Sequence, residues 1–107
     1  MIHVSPGDRV QIDVQESSGS AVVAVVGEID AHTCGDLASA LDRVIGSGVQ
    51  AVTLDVTGVE FIDSSGLRVL IQANERLEPG RLGLKGPNET FRRLLEITGL
   101  QDVFPTG

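Results

Sequence analysis

The stretch AVVAVVG, residues 21–27, is continuously apolar and rich in β-branched side chains. Such a run reads as a strand buried on both faces. A strand of that kind needs neighbours on each side and helices to shield it, so it commits the chain to a sheet with helical cover. Upstream, VQIDVQE (residues 10–16) alternates apolar and polar, the pattern of a half-buried strand. SSGS (residues 17–20) reads as the turn between the two. The expected pair is a hairpin, with QIDV nearer the sheet edge.

Helix and strand patterns then alternate. Leu37, Ala40, Leu41, Val44 and Ile45 recur at helical spacing and define one apolar face. Thr33 is the expected N-cap, Asp36 sits in the first turn, and GSG (residues 46–48) ends the helix. AVTLDV (residues 51–56) reads as a strand and TGVEFID (residues 57–63) as a connector. A second helix follows, with Leu67, Leu70, Ile71 and Leu77 on one face and Arg68, Gln72, Glu75 and Arg76 on the other. EPG (residues 78–80) stops it, RLGLK (residues 81–85) is a short strand, and a third helix turns Phe91, Leu94 and Leu95 inward. LQDVF (residues 100–104) is expected to add a last helical turn. The order is β-β-α-β-α-β-α(-α), an α/β fold. Its βαβαβ portion implies parallel pairing with right-handed crossovers. The expectation is a mixed four- to five-stranded β-sheet with helices mainly on one face.

Composition narrows the function. The 107 residues suit one domain spanning 1–107. Aromatics are 3% with no Trp or Tyr, so the core must come from Val, Leu, Ile and Ala. A net charge of −7, from 15 acids against 8 bases, repels phosphate backbones and anionic lipid, which argues against direct nucleic-acid or membrane partners. A basic protein surface or a small ligand stays compatible with it. Cys34 is the single cysteine, so no intrachain disulfide forms. The opening MIHVSPGDRV lacks the basic and long apolar regions of a leader, and no stretch is long enough to span a bilayer, so a cytoplasmic protein is expected. The sequon NET at Asn88 is discounted on the same ground.

Catalytic chemistry finds little support. A nucleophile elbow at Ser64 would need glycine two before and two after it; Gly66 fits and Ile62 does not. The two histidines, His3 and His32, both precede that serine. HTC (residues 32–34), with Asp30 and Asp36 nearby, has no second Cys or His pair to complete a zinc site. Neither G-x-G-x-x-G nor G-x-x-x-x-G-K-[ST] occurs. No catalytic residue, metal ligand set or cofactor is assigned. The segment FIDSSGL, residues 61–67, stands apart. Asp63, Ser64 or Ser65 would each cap a helix, and one cap suffices. Gly66, inside the first turn, costs about 0.5–1 kcal/mol relative to Ala. Such a glycine is useful where another molecule must approach the backbone. Phe61 and Ile62 read as core anchors before it.

LDVTGVEFIDSSGLRVL (residues 54–70) resembles the signature of bacterial anti-sigma factor antagonists of the STAS-domain family, and VVGEIDAHT (residues 25–33) resembles that family's G-E-[LI]-D segment. The order of elements is similar over nearly the whole chain. The resemblance implies a STAS-like fold. It also implies that Ser64 is phosphorylated by a partner anti-sigma factor with serine kinase activity, and that a serine phosphatase resets it. Asp63, Ser65, Gly66 and Leu67 match the neighbours of that serine, and Asp30 matches the acid beside the site. These residues and Arg68, which stands where many members have Gly, are the expected partner-binding set. The implied function is release of a sigma factor from its anti-sigma factor, switched off by phosphorylation. A STAS interaction subunit of a transporter or signalling complex is the other reading.

The physics is compatible. A helix N-terminus favours the phosphate by about 0.3–1 kcal/mol, and repulsion from Asp63 at about 6 Å costs ~1.4 kcal/mol for a near-dianion. The terms nearly cancel, so the fold is expected to accept the phosphate without rearranging.

Overall fold

The computed structural model describes residues 2–4 and 10–107. The opening read above for a leader lies outside the described residues, apart from the backbone of 2–4 and Val10. The elements are β1 (Ile2–Val4), β2 (Val10–Ser17), β3 (Ser20–Ile29), α1 (Cys34–Gly46), β4 (Ala51–Ile62), α2 (Ser64–Glu75), β5 (Leu82–Lys85) and α3 (Glu89–Ile97). One five-stranded sheet runs in the order β1-β2-β3-β4-β5. The β1–β2 and β2–β3 pairs are antiparallel, and β3–β4 and β4–β5 are parallel. The mixed sheet is the expected one, with β1 as an added edge strand. Between β2 and β3, Ser18 and Gly19 both take positive φ (48° and 84°), the two-residue turn that suits the strand twist.

The three helices among the described residues share a single core, although Ile71, expected on the buried face of α2, is exposed. Leu37, Leu41 and Val44 of α1, Leu67 and Leu70 of α2, and Phe91 and Leu95 of α3 meet Ile12, Val23, Val25, Leu54 and Leu84 of the sheet. Burying each such side chain contributes about 1.5–3 kcal/mol. Among the described residues no helix covers the other face of the sheet at β3. Val22 and Val26 are exposed there, so β3 is not buried on both faces as its composition suggests. Over residues 21–26 its two faces are equally apolar, and the placement of the helices separates them.

Two further expectations change. Residues 57–62 do not connect but continue β4, which runs 12 residues beside the 10 of β3. Between Ala24 and Val26, β4 passes from Asp55 to Gly58; between Gly27 and Glu28 it passes from Val59 to Phe61. Each step carries one extra residue, a β-bulge. Bulging places Phe61 beside Glu28 on the open face, 45% exposed, so it is no core anchor, while Ile62 is buried as expected. Residues 100–104 make a turn instead of a helix, with Phe104 buried. The chain then lies along β5: Leu84 N–H donates to Pro105 O at 2.7 Å and Gly107 N–H donates to Leu84 O at 2.9 Å.

Candidate functional site

Strands β3 and β4 reach their ends together, with Ile29 opposite Ile62. The next residue of each path is an aspartate, Asp30 after β3 and Asp63 after β4. The Asp63 N–H donates to Ile29 O at 3.1 Å and ties the two departures together. Helices α1 and α2 both start here, at the carboxyl end of parallel strands, where open α/β sheets present their sites.

The start of α2 is abrupt. Asp63 is extended (φ −115°, ψ −172°), and its Oδ1 accepts from the N–H groups of Ser65 at 2.9 Å and Gly66 at 3.3 Å. Asp63 is therefore the N-cap among the three candidates. The serine hydroxyls are left unengaged: neither makes a hydrogen bond among the described residues. Ser64 is exposed and Ser65 half-buried.

Gly66 and Leu67 point the other way. A Cβ on Gly66 would lie 2.6 Å from Ile29 Cγ2 and 2.8 Å from Ile62 Cγ1. This glycine makes room for the chain's own isoleucines, and Leu67 is core. Neither presents a side chain to a partner; both fix the pitch at which α2 leaves the sheet. Arg68 lies one turn beyond Ser64, is exposed, and forms no ion pair among the described residues.

The start of α1 is built from a turn. Asp30 Oδ1 accepts from His32 N–H at 2.9 Å and Thr33 N–H at 3.1 Å. Thr33 holds the N-cap position without a side-chain cap bond. Its hydroxyl points back instead, donating to Glu28 O at 2.7 Å and accepting from Asp30 N–H at 2.9 Å. Asp30 thus has its carboxylate engaged in this turn, directly after β3.

Between the helices lies a groove of about 270 Å³ lined by Cys34, Ser64, Ser65, Arg68, Val69 and Gln72. Ser64, Arg68 and Gln72 recur every four residues, a stripe along α2 that the sequence held but charge and motif did not bring out. Cys34 joins from α1, which only tertiary packing reveals. Farther along, Arg76 and Asp42 form an ion pair across the two helices. A larger depression of about 550 Å³ lies at the opposite end of α2. It is lined by exposed charges of both signs, among them Glu75, Arg76, Glu78 and Arg81, and none of the predicted site residues reaches it. Among the described residues no three His, Cys, Asp or Glu side chains gather as metal ligands, and no helix is long and apolar enough to cross a membrane. On β4, the Thr57 hydroxyl donating to Asp55 holds that carboxyl below its ordinary range, against a smaller opposing effect of burial.

This fold and helix-start site define a family. The chain belongs to the STAS domain family, whose model matches residues 11–107. Among curated relatives, it is 29% identical over 102 residues to the anti-sigma-F factor antagonist RsfB of Mycobacterium tuberculosis, covering 94% of this chain and 84% of that one. It is 34% identical over 99 residues to the anti-sigma-B factor antagonist of Listeria monocytogenes, covering 89% and 86%. The crystal structure of an anti-sigma factor antagonist from Mycobacterium paratuberculosis superposes with a TM-score of 0.83 at 33% identity, covering 96% of this chain and 89% of that one.

Proposed function

We propose that this chain is an anti-sigma factor antagonist. Unmodified, it binds an anti-sigma factor with serine kinase activity and so frees a sigma factor; phosphorylated on Ser64, it lets go; a serine phosphatase restores it. It acts in the cytoplasm as one STAS domain over residues 1–107 and contributes no catalytic group of its own. The relatives named as antagonists support this reading. The observation that carries it is the exposed, unengaged Ser64 hydroxyl on a helix start already capped by Asp63. Ser65 is half-buried and is the less accessible acceptor.

In the transfer, Ser64 Oγ bonds to the γ-phosphorus of ATP while the bond to the bridging oxygen breaks. ADP leaves, and the hydroxyl proton passes to a base on the kinase. Partner contact is assigned to Asp30, Asp63, Ser64, Ser65 and Arg68, with Gly66 and Leu67 supporting them from beneath. A partner covering phosphorylated Ser64 would have to desolvate the new charge, at a cost of several kcal/mol. About 4 kcal/mol weakens binding roughly a thousandfold, so release needs no change of fold.

Incubation with the cognate anti-sigma factor, ATP and Mg²⁺ tests the reading. Intact mass is expected to rise by one phosphoryl group in the wild type and not in Ser64→Ala. Ser64→Glu is expected to bind the anti-sigma factor more weakly. Modification persisting in Ser64→Ala would overturn the assignment.

A further inference from the structure

The groove between α1 and α2 is lined by one cation, Arg68, to which the switch just described gives only a partner contact. We propose that Arg68 is a phosphate-positioning residue: once Ser64 carries a phosphoryl group, the Arg68 guanidinium pairs with it and holds it in the groove. The inference rests on reading Ser64 as the modified residue.

Four observations lead to it. Ser64 and Arg68 are four residues apart on α2 and line the same groove. Helical side chains lean toward the N-terminus, so Arg68 is directed over the turn that bears Ser64. An anion N-terminal to a cation at this spacing is the favourable orientation. Arg68 also has no ion pair to break among the described residues.

The surrounding charges make the same point. Asp63, at the cap, opposes the phosphate. In the turn before α1, Asp30 is engaged with His32 and Thr33 backbone N–H groups, and His32 itself is exposed. Asp36 lies in the first turn of α1, and Glu60 is exposed near the end of β4. Cys34 lines the groove from α1, and Ser65, Val69 and Gln72 complete it without charge. Arg68 is the one permanent cation of that lining, and the planar guanidinium suits two oxygens of a phosphate at once.

The test uses the full chain with phosphoserine installed at position 64 during translation, without a kinase. Phosphorus NMR then follows the second ionisation of the phosphate against pH. An attached cation stabilises the dianion and lowers the midpoint. The wild-type midpoint is expected about 0.2–0.4 unit below that of Arg68→Ala. Arg68→Lys is expected to keep part of the depression, and high salt to reduce it. Equal midpoints in wild type and Arg68→Ala, both folded by circular dichroism, would overturn the clamp. That result would leave phosphorylation of Ser64 standing. Conversely, a kinase that ignores Ser64 would defeat the proposed function without moving these midpoints.

Discussion

Helices α1 and α2 leave neighbouring strands at the same level of the sheet, yet they begin in opposite ways. At α1 the chain spends its polar groups on itself: Asp30 closes the turn, and the buried Thr33 hydroxyl bonds back to Glu28 and Asp30. At α2 a single carboxylate, Asp63, meets two helix N–H groups and leaves two serine hydroxyls unused. The first start is a structural joint. The second has hydroxyl groups to spare, and a modification there displaces no bond that the fold needs.

Thr33→Val should separate the two starts most sharply. It leaves the Glu28 carbonyl and Asp30 N–H without their hydroxyl partner, at a cost of about 2 kcal/mol read from urea unfolding. An unchanged midpoint would mean that the α1 joint is not held by this hydroxyl. Next in size is Gly66→Ala, whose new methyl meets Ile29 and Ile62. Overpacking of about 1–3 kcal/mol outweighs the helix gain of roughly 0.5–1 kcal/mol, leaving a net loss near 1 kcal/mol. Gly35→Ala in α1, with nothing within 4 Å, is the counterpart and should be neutral to stabilising. If both glycine substitutions raised the melting temperature, the packing reason for Gly66 would fail.

Asp63→Ala removes the α2 cap and should lower stability by about 1 kcal/mol, with Asp63→Asn retaining most of it. Equal loss in both variants would point to charge instead of capping. The smallest effect belongs to Ser64→Ala, within about 0.5 kcal/mol of wild type by thermal unfolding. A larger loss there would mean that the hydroxyl has a structural task after all, and the contrast between the two starts would collapse.

Much of this was legible in the sequence. The amphipathic spacing of α1, the order of elements and the helix start at DSSG all follow from local pattern. What escaped had local pattern against it. Over residues 56–62 the buried positions are Val56, Val59 and Ile62, a period of three. Two bulges produce it, and no strand template contains it, so the end of β4 read as a connector and Phe61 as core. The role of Gly66 was hidden because its neighbours Ile29 and Ile62 come from two different strands. Motif alone ranked Ser64 above Ser65; burial adds a physical reason for that order.

Residues 105–107 have a consequence for how other chains can attach. An uncovered outer strand offers a ladder of unpaired backbone groups that a foreign segment can extend. The alignment of Pro105, Thr106 and Gly107 along β5 occupies that ladder at Leu84 and Gly86. Strand addition on this flank would first have to peel those residues away. On this flank the domain is thereby steered from recruitment through its backbone toward recognition through side chains.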